Sequence, residues 1–314
     1  MIGDKIILFW SKFNKDIDTD FWKWKEREIS LSPSHFLSLE SHLKFGHDVH
    51  LYTYQKIRDE LPENVKVHDA TKMYSVAFAW SALLRGHSIA HISDLVRLYA
   101  STLEGGLVLD MDAIIINELP DLDGFFCTMP AKVTGGVAPQ WGKSHPPFTI
   151  HDNSWDGKAL SAFPVKVNKE MAPQIRKLAA KIWTTLGNSP KKDSKAWNYV
   201  LWTLKEMSRE FKNSKVFQPI KTCPLPAWLS AGNCYSMESP TRLDGTNQMY
   251  GYTLPSIEQI LNESFMVQHF FESTFQGAEQ KQNKKMFWEN VPDDCLIGKV
   301  ARKTLGDNWK KCLQ

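Results

Sequence analysis

Residues 105 to 116 read "GGLVLDMDAIII", two glycines followed by an apolar run that two aspartates interrupt. The apolar run at 107 to 109 predicts a buried central strand that ends at the first aspartate. In an extended chain, residues two apart point the same way, so Asp110 and Asp112 can converge while Met111 faces into the core. The strand therefore carries two carboxylates to one edge of the predicted sheet.

The chain before this stretch alternates strands with helices. The apolar run at 5 to 10 predicts a first strand, the helical spacing from 34 to 45 predicts a helix that Gly46 ends, and the alternation at 48 to 54 predicts a second strand. Strand, helix and strand in about fifty residues are typical of a parallel sheet. Two more helices are predicted, at 75 to 85 and 91 to 104.

The second half of the chain gives weaker signals. They predict a strand at 124 to 130, a loop rich in Gly, Pro and His at 131 to 154, helices at 169 to 186 and 194 to 212, a strand at 214 to 220, and a polar tail after 277 that wraps the surface. No repeat, low-complexity tract or linker divides the chain. We therefore predict one α/β domain over residues 1 to 314, with a helical insertion and a C-terminal extension.

Composition and charge exclude several classes of protein. The 38 basic and 35 acidic residues are mixed along the chain without a long basic block, so nucleic acid is not an expected partner. No apolar run reaches the length of a transmembrane segment, and the charged amino end does not resemble a signal peptide. Five widely spaced cysteines without a CxxC motif suggest reduced thiols or small buried side chains, and hence a cytoplasmic location.

The aspartate pair indicates a divalent metal. Neighbouring carboxylates repel unless they share a cation or a proton, and hard oxygen ligands favour Mg²⁺ or Mn²⁺. A metal held by two carboxylates keeps open positions, which diphosphate oxygens can fill. Alone, the triplet is more often a solvated turn. Its context adds weight, because Asp94 and Arg97 lie three apart on one face of the preceding helix, although such a pair is also compatible with a surface ion pair.

The combined pattern, S-D-x-x-R, seven residues, then G-G-x-x-x-D-x-D, resembles the sugar-binding region of the GT-A glycosyltransferases with a DxD motif. That group includes a yeast mannosyltransferase, α-1,4-galactosyltransferases, bacterial capsular polysaccharide transferases and the clostridial glucosylating toxins. The motif positions are occupied here by Ser93, Asp94, Arg97, Gly105, Gly106, Asp110 and Asp112. "IILFW" is similar to the first strand of that family, and "HFFEST" with Phe275 is similar to a late segment that starts with His.

The resemblance implies a Rossmann-like, mostly parallel sheet flanked by helices. It divides the domain into a nucleotide-sugar half at 5 to 119, an acceptor-side half at 120 to 276 and a tail at 277 to 314. This sequence departs from the family pattern at Val108, where an aromatic residue is common, and at Phe275, which replaces a tryptophan. These departures affect the expected contacts to the sugar and the nucleotide more than the metal.

The resemblance also implies a role for each motif residue. Asp112 is expected to bind the metal, and Asp110 to bind the ribose and the metal's water shell. Asp94 and Arg97, beside Ser93 and Gly106, are expected to hold the hydroxyls of the donor sugar. Trp10 is expected to lie against the base, and His269 to make a third contact to metal or diphosphate.

The function implied is sugar transfer from a UDP- or GDP-sugar to a glycan or another hydroxyl acceptor, with Mn²⁺ or Mg²⁺, with retention of configuration, and in polysaccharide biosynthesis. Two alternatives are open. A phosphatase of the haloacid dehalogenase type also ends a strand in DxD, usually its first strand, and uses the first aspartate as nucleophile. A non-catalytic protein of the same fold could hold carbohydrate or nucleotide without transfer.

Overall fold

A mostly parallel sheet forms the centre of the computed structural model, which describes residues 4–14, 16–130, 158–188, 215–217, 219–222, 248–249, 252–268 and 291–312. The strands are β1 (Lys5–Phe9), β2 (Asp48–Thr53), β3 (Lys66–Asp69), β4 (Gly106–Val108), β5 (Ala113–Ile115), β6 (Phe125–Pro130), β7 (Lys158–Val167), β8 (Lys215–Phe217), β9 (Gln248–Met249), β10 (Tyr252–Thr253) and β11 (Met266–Gln268). Among these described strands, seven form one sheet in the order β3-β2-β1-β4-β7-β6-β8.

Helices cover both faces of this sheet. They are α1 (Phe21–Glu26), α2 (Pro33–Lys44), α3 (Val76–Leu84), α4 (Ile89–Glu104), α5 (Ala172–Asn188), α6 (Pro219–Thr222), α7 (Ile257–Glu263), α8 (Leu296–Leu305) and α9 (Trp309–Cys312), with a 3₁₀ turn at Ala70–Lys72. Alternate strand residues face opposite layers: Ile7 and Val108 join the core with α3, α4 and α5, whereas Ile6 and Leu107 join the core with α2.

The strand pairing confirms the predicted α/β class. β1 pairs in parallel with β2 and with β4, β2 with β3, and β6 with β8, while β7 runs antiparallel between β4 and β6. The chain moves outward from β1 to β3 and returns to the other side of β1 as β4. The strand order therefore reverses between β1 and β4, and in such sheets the crevice beyond the carboxyl ends at the reversal is the usual ligand site.

The two glycines before β4 have different structural reasons. Gly105 ends α4 with φ +69°, and its N–H donates to the Ser101 carbonyl oxygen. Gly106 has φ +112°, and a Cβ at this position would lie 2.6 Å from the Lys5 carbonyl oxygen of β1. Only glycine allows this close approach of the two central strands at that backbone angle.

Several described elements were not predicted, including β7 within the sheet, and α1 and β3 illustrate the reasons. α1 lies in the stretch expected to be a loop, where Asp20 caps it by accepting a hydrogen bond from the Lys23 N–H. Its six residues are too few to show a helical period. β3 is an edge strand whose residues are mostly exposed, so it lacks the apolar alternation by which a strand is recognised.

The tail expected to wrap the surface instead contributes to the core at its far end. Leu296, Ile297 and Val300 of α8 have no exposed surface, and Trp309 of α9 is 1% exposed. The polar composition of the tail gave no indication of this burial, because the apolar residues of α8 occupy only one face of the helix. The predicted loop at 131 to 154 and the predicted helix at 194 to 212 lie outside the described residues.

No helix in the described ranges is both long enough and apolar enough to cross a membrane. The longest described helices, α4 and α5, instead pair with each other in the layer on the β1 and β4 face. Arg176 near the start of α5 donates to the Thr102 carbonyl near the end of α4, at 3.1 Å, so the two helices run antiparallel. This arrangement brings the beginning of α4, which carries Asp94, to the carboxyl edge of the parallel strands.

Candidate active site

The candidate site lies beyond the carboxyl ends of β1 and β4, where the strand order reverses. Trp10 follows β1 directly, and Asp110 follows β4 after Leu109, whose N–H still donates to the Ile7 carbonyl. Parallel pairing of Ile7 with Val108 brings these two strand ends to the same edge of the sheet. The aspartate motif and the first strand are therefore brought together, as the sequence predicts.

Arg97 connects the two acidic parts of the motif. Its Nη2 donates to Asp94 Oδ1 at 2.9 Å, and its Nη1 lies 2.7 Å from Asp110 Oδ1 and also donates to the Leu109 carbonyl oxygen. Its Nε lies 3.4 Å from the Ser93 carbonyl oxygen. The planar guanidinium fixes both carboxylates relative to the end of β4, a geometry that lysine cannot reproduce.

Burial distinguishes this arrangement from a surface ion pair. Asp94 is 3% exposed and Arg97 2% exposed, whereas the side chain of Asp110 is 33% exposed. Arg97 is therefore a buried support, and Asp110 is the most exposed of these three side chains. The alternative interpretation of Asp94 and Arg97 as a solvated surface pair is wrong, since neither side chain is at the surface.

The environment of Asp94 raises its pKa to about 7. Burial is the largest cause, because it disfavours the charged carboxylate, and the nearby Asp110 acts in the same direction. Arg97 opposes both effects through its charge and its hydrogen bond. The raised pKa means that Asp94, a motif residue, changes its protonation near neutral pH. Carboxyl groups with such shifted pKa values are concentrated at functional sites.

Asp112 lies in a turn between β4 and β5, where the Ala113 N–H donates to the Asp110 carbonyl oxygen, and not in the extended chain that the sequence predicted. β5 begins at the next residue and is fixed on both sides. The Ser38 hydroxyl of α2 donates to the Ala113 carbonyl at 2.6 Å, and the Ser41 hydroxyl accepts from the Ile115 N–H at 3.1 Å. On the other side, Ala113 pairs with Gln268 of β11. Asp112 itself is half-buried. The backbone next to the second aspartate is therefore anchored by a helix and a strand.

The two serines of α2 are functional neighbours that the sequence analysis missed. Both are fully buried, and they satisfy backbone groups of β5 that lie on the side away from β11. The available signal was the spacing of Ser34, Ser38 and Ser41 on the apolar face of a helix. Buried hydroxyls at such positions need partners, and the nearest candidates are the backbone groups of an adjacent strand.

Trp10 lies beside the start of α2. Its ring centroid is 4.0 Å from that of His35, its Nε1–H donates to the Ser30 carbonyl at 3.4 Å, and Lys12 Nζ lies 5.5 Å from its ring. The ring is partly exposed at the edge where β1 ends. The predicted contact of Trp10 with a base stays a prediction. His269 lies outside the described residues.

The donor atoms present fit a divalent ion. Asp110 and Asp112 supply carboxylate oxygens, which Mg²⁺ and Mn²⁺ prefer. Arg97 pairs with two carboxylates of the motif, Asp94 and Asp110. Within the described ranges, no group of three or more His, Cys, Asp or Glu side chains could hold a metal. A metal at Asp110 and Asp112 therefore stays a prediction.

Comparisons with known proteins give little further guidance. No protein-family model matches the chain, and no curated protein matches its sequence. A solved structure titled PaToxG glycosyltransferase is similar over 67% of this chain and 70% of its own, with 16% sequence identity and a TM-score of 0.39. A similarity this low carries no argument about activity, so the function is argued from the residues of the site.

Proposed function

We propose that the protein is a metal-dependent glycosyltransferase that moves a sugar from a nucleoside diphosphate sugar to a glycan or another hydroxyl acceptor. The observation that carries the proposal is the bridge from buried Asp94 through Arg97 to the partly exposed Asp110, at the reversal of the strand order. A buried guanidinium between carboxylates is costly to desolvate. Its presence at the ligand edge of the sheet favours a role in holding Asp110 for a ligand.

In the proposed reaction, each side chain has a separate task. Asp110 and Asp112 would hold Mn²⁺ or Mg²⁺, which would supply Lewis-acid stabilisation of the negative charge on the departing diphosphate. Asp94 hydrogen-bonds the donor sugar near the protein interior, and Arg97 orients both carboxylates. Trp10 contacts the base. In the sequence, His269 follows Gln268, which pairs with the residue after Asp112, and we propose it as a further contact to metal or diphosphate.

The bond that breaks is the anomeric C–O bond, whose electron pair leaves with the diphosphate. The acceptor hydroxyl forms the new bond at the same carbon and passes its proton to a diphosphate oxygen. With attack on the side from which the diphosphate departs, the configuration is retained. Interactions that strengthen as the diphosphate gains charge accelerate this step, which is the condition for catalysis by binding.

The site favours this function over the two alternatives. In the phosphatase the nucleophilic aspartate usually follows the first strand, whereas here β1 leads to Trp10 and the aspartates follow β4. For a protein that only holds carbohydrate, a pair of metal-binding carboxylates has no evident use. Binding without transfer is separated from catalysis by the turnover measurement below.

The test is thermal unfolding of the full chain with a panel of UDP- and GDP-sugars, with and without Mn²⁺, followed by measurement of nucleotide-sugar hydrolysis. A ligand that binds only the folded state raises its stability by mass action. We expect metal-dependent stabilisation by donors of one nucleotide, and hydrolysis that falls at least about a hundredfold in Asp112→Asn. Asp123→Asn, at an exposed position after β5, is the matched control.

Three results would overturn the proposal. One is indifference to every nucleotide sugar in the presence of metal. Another is equal nucleotide binding and hydrolysis in the wild type and Asp112→Asn. The third is release of phosphate from an aryl phosphate without turnover of any nucleotide sugar, which would establish the phosphatase instead.

A further inference from the structure

Helix α3 is apolar on every side although part of it faces solvent. Its sequence, "VAFAWSALL", contains no charged residue and one polar residue, Ser81. Val76, Ala79 and Leu83 are buried against the core, but Leu84 at the end of the helix is 61% exposed. A surface helix normally carries polar residues on its outer face, so a helix without them indicates that its outer face meets an apolar environment.

Aromatic side chains extend this face on both sides of α3. On one side, Phe21 of α1 lies 6.4 Å from Trp80 and 4.7 Å from Trp22, between ring centroids, and Trp22 is 63% exposed. On the other side, Phe78 stacks on Trp183 of α5 at 5.7 Å. Trp183 is 47% exposed. We call the face formed by α1, α3 and α5 the aromatic face.

Basic residues outnumber acidic residues on two helices of the aromatic face. α1 carries Lys23 and Lys25 with one acidic residue, Glu26, and α5 carries Arg176, Lys177 and Lys181 without any acidic residue. Lys23, Lys177 and Lys181 form no ion pair with any residue that the structure describes, and all three are exposed. Exposed tryptophan and leucine bordered by lysine are the composition of surfaces that lie in the headgroup region of anionic membranes.

We propose that the aromatic face docks the protein on an anionic lipid bilayer. Trp22, Leu84 and Trp183 would enter the boundary between headgroups and acyl chains, and the lysines around them would contact lipid phosphates and carboxylates. α3 has nine residues, about half the length that crosses a bilayer, so the contact is peripheral. The charge of the surrounding residues selects anionic lipid over a second copy of the chain, whose matching face carries the same positive charge.

The aromatic face adjoins the candidate active site. Arg85, just after α3, donates to the Leu186 carbonyl near the end of α5 at 2.7 Å, so these two helices end together. From there the chain enters α4 within four residues, and Asp94 lies in the second turn of that helix. A bilayer on the aromatic face would therefore lie next to the edge of the sheet that carries the site.

The test is co-sedimentation of the full chain with vesicles of phosphatidylcholine alone and with vesicles that also contain phosphatidylserine, without nucleotide sugar or metal. We expect binding to the anionic vesicles that added salt weakens. The triple variant Trp22→Ser, Leu84→Ser, Trp183→Ser should bind at least about tenfold more weakly. Val67→Ser with Leu103→Ser is the matched control, because these residues are similarly exposed on β3 and α4, at 50% and 52%.

A second variant keeps the proposal testable if the triple variant folds poorly. Lys23→Glu, Lys177→Glu and Lys181→Glu change only exposed positions and should together abolish measurable binding to anionic vesicles. Absence of binding to anionic vesicles at low salt, or equal binding by these variants, would overturn the proposal. So would self-association in solution that the triple variant removes, since the face would then cover a second copy. None of these outcomes depends on nucleotide-sugar turnover.

Discussion

Asp94 and Arg97 show how burial changes what an ion pair does. At the surface such a pair contributes little to stability. Here both side chains are almost fully buried, and Arg97 also pairs with Asp110. Removing one partner leaves the other charge buried without compensation, which costs about 3 to 5 kcal/mol. The group is therefore rigid, and its protonation is coupled to folding.

The raised pKa of Asp94 predicts a specific dependence of stability on pH. The folded chain holds the Asp94 proton up to pH about 7, whereas the unfolded chain releases it near pH 4. Between these values the folded state binds more protons, so this group lowers the free energy of unfolding as pH rises, and the change is complete above pH about 7. Asp94→Asn should remove this part of the pH dependence.

Urea unfolding of the wild type and Asp94→Asn between pH 4 and 8 measures the effect. The stability of the wild type relative to the variant should fall from the low end of this range to pH about 7 and then stay constant. Asp121→Asn, at an exposed loop position, should follow the wild type throughout. A constant difference between Asp94→Asn and the wild type at every pH would contradict the prediction.

At the scale of single residues, the sequence predicted that Asp94 and Arg97 are neighbours on α4 but not how Arg97 connects to Asp110. The i, i+3 spacing of Asp94 and Arg97 was sufficient to put them on one helix face. The contact of Arg97 with Asp110 depends on how α4 sits against the end of β4, and no local pattern encodes that distance. The burial of both side chains has the same origin, because it follows from packing of the whole helical layer.

At the scale of elements, apolar periodicity was enough where an element is long or central. β1, β2, α2 and α4 follow the predicted bounds closely, because each buries a regular stripe or run. Apolar periodicity did not indicate that β5 lies between α2 and β11. Its pairing with β11 joins segments about 150 residues apart, and its hydrogen bonds to α2 are made by serine hydroxyls.

The serine contacts between α2 and β5 can be tested by mutation. Ser41→Ala leaves the Ile115 N–H buried without its partner, so it should lower the free energy of unfolding by about 1 to 3 kcal/mol. Urea unfolding measures the loss. Ser101→Ala is the matched control: Ser101 is also buried, but its hydroxyl donates to the Leu98 carbonyl of its own helix, so its loss should cost under about 1 kcal/mol.

The comparison between the two serines decides the interpretation. If Ser41→Ala costs no more than Ser101→Ala, the anchoring of β5 by α2 is wrong. Under the proposed function, Ser41→Ala should also weaken metal-dependent hydrolysis, because β5 begins one residue after Asp112. The stability measurement stands independently of that activity.

At the scale of the molecule, the end of the chain belongs to the domain core. Trp309 packs with Val291, Leu296 and Val300, and its Nε1–H lies 3.2 Å from Asp293 Oδ1. Trp309→Ala should lower the free energy of unfolding by about 3 to 5 kcal/mol, since it removes a large, fully buried side chain. Asn308→Ala, at the exposed neighbouring position, should change it by less than about 0.5 kcal/mol.

Circular dichroism during urea unfolding checks this prediction. A single transition that shifts as a whole in Trp309→Ala is expected, because α8 packs in one core with Leu37 of α2 and Ile114 of β5. A loss confined to a separate early step, with the remaining transition unchanged, would show that the end of the chain is not part of the cooperative unit.

The reversal of strand order also determines when the central strands can pair during synthesis of the chain. β1 emerges before β4 but needs β4 on its second edge, and roughly a hundred residues separate the two strands. At typical elongation rates of about 5 to 20 residues per second, that edge stays open for on the order of 5 to 20 seconds. During that interval β1, whose sequence KIILF is apolar after its first residue, has an open edge at which another strand can pair.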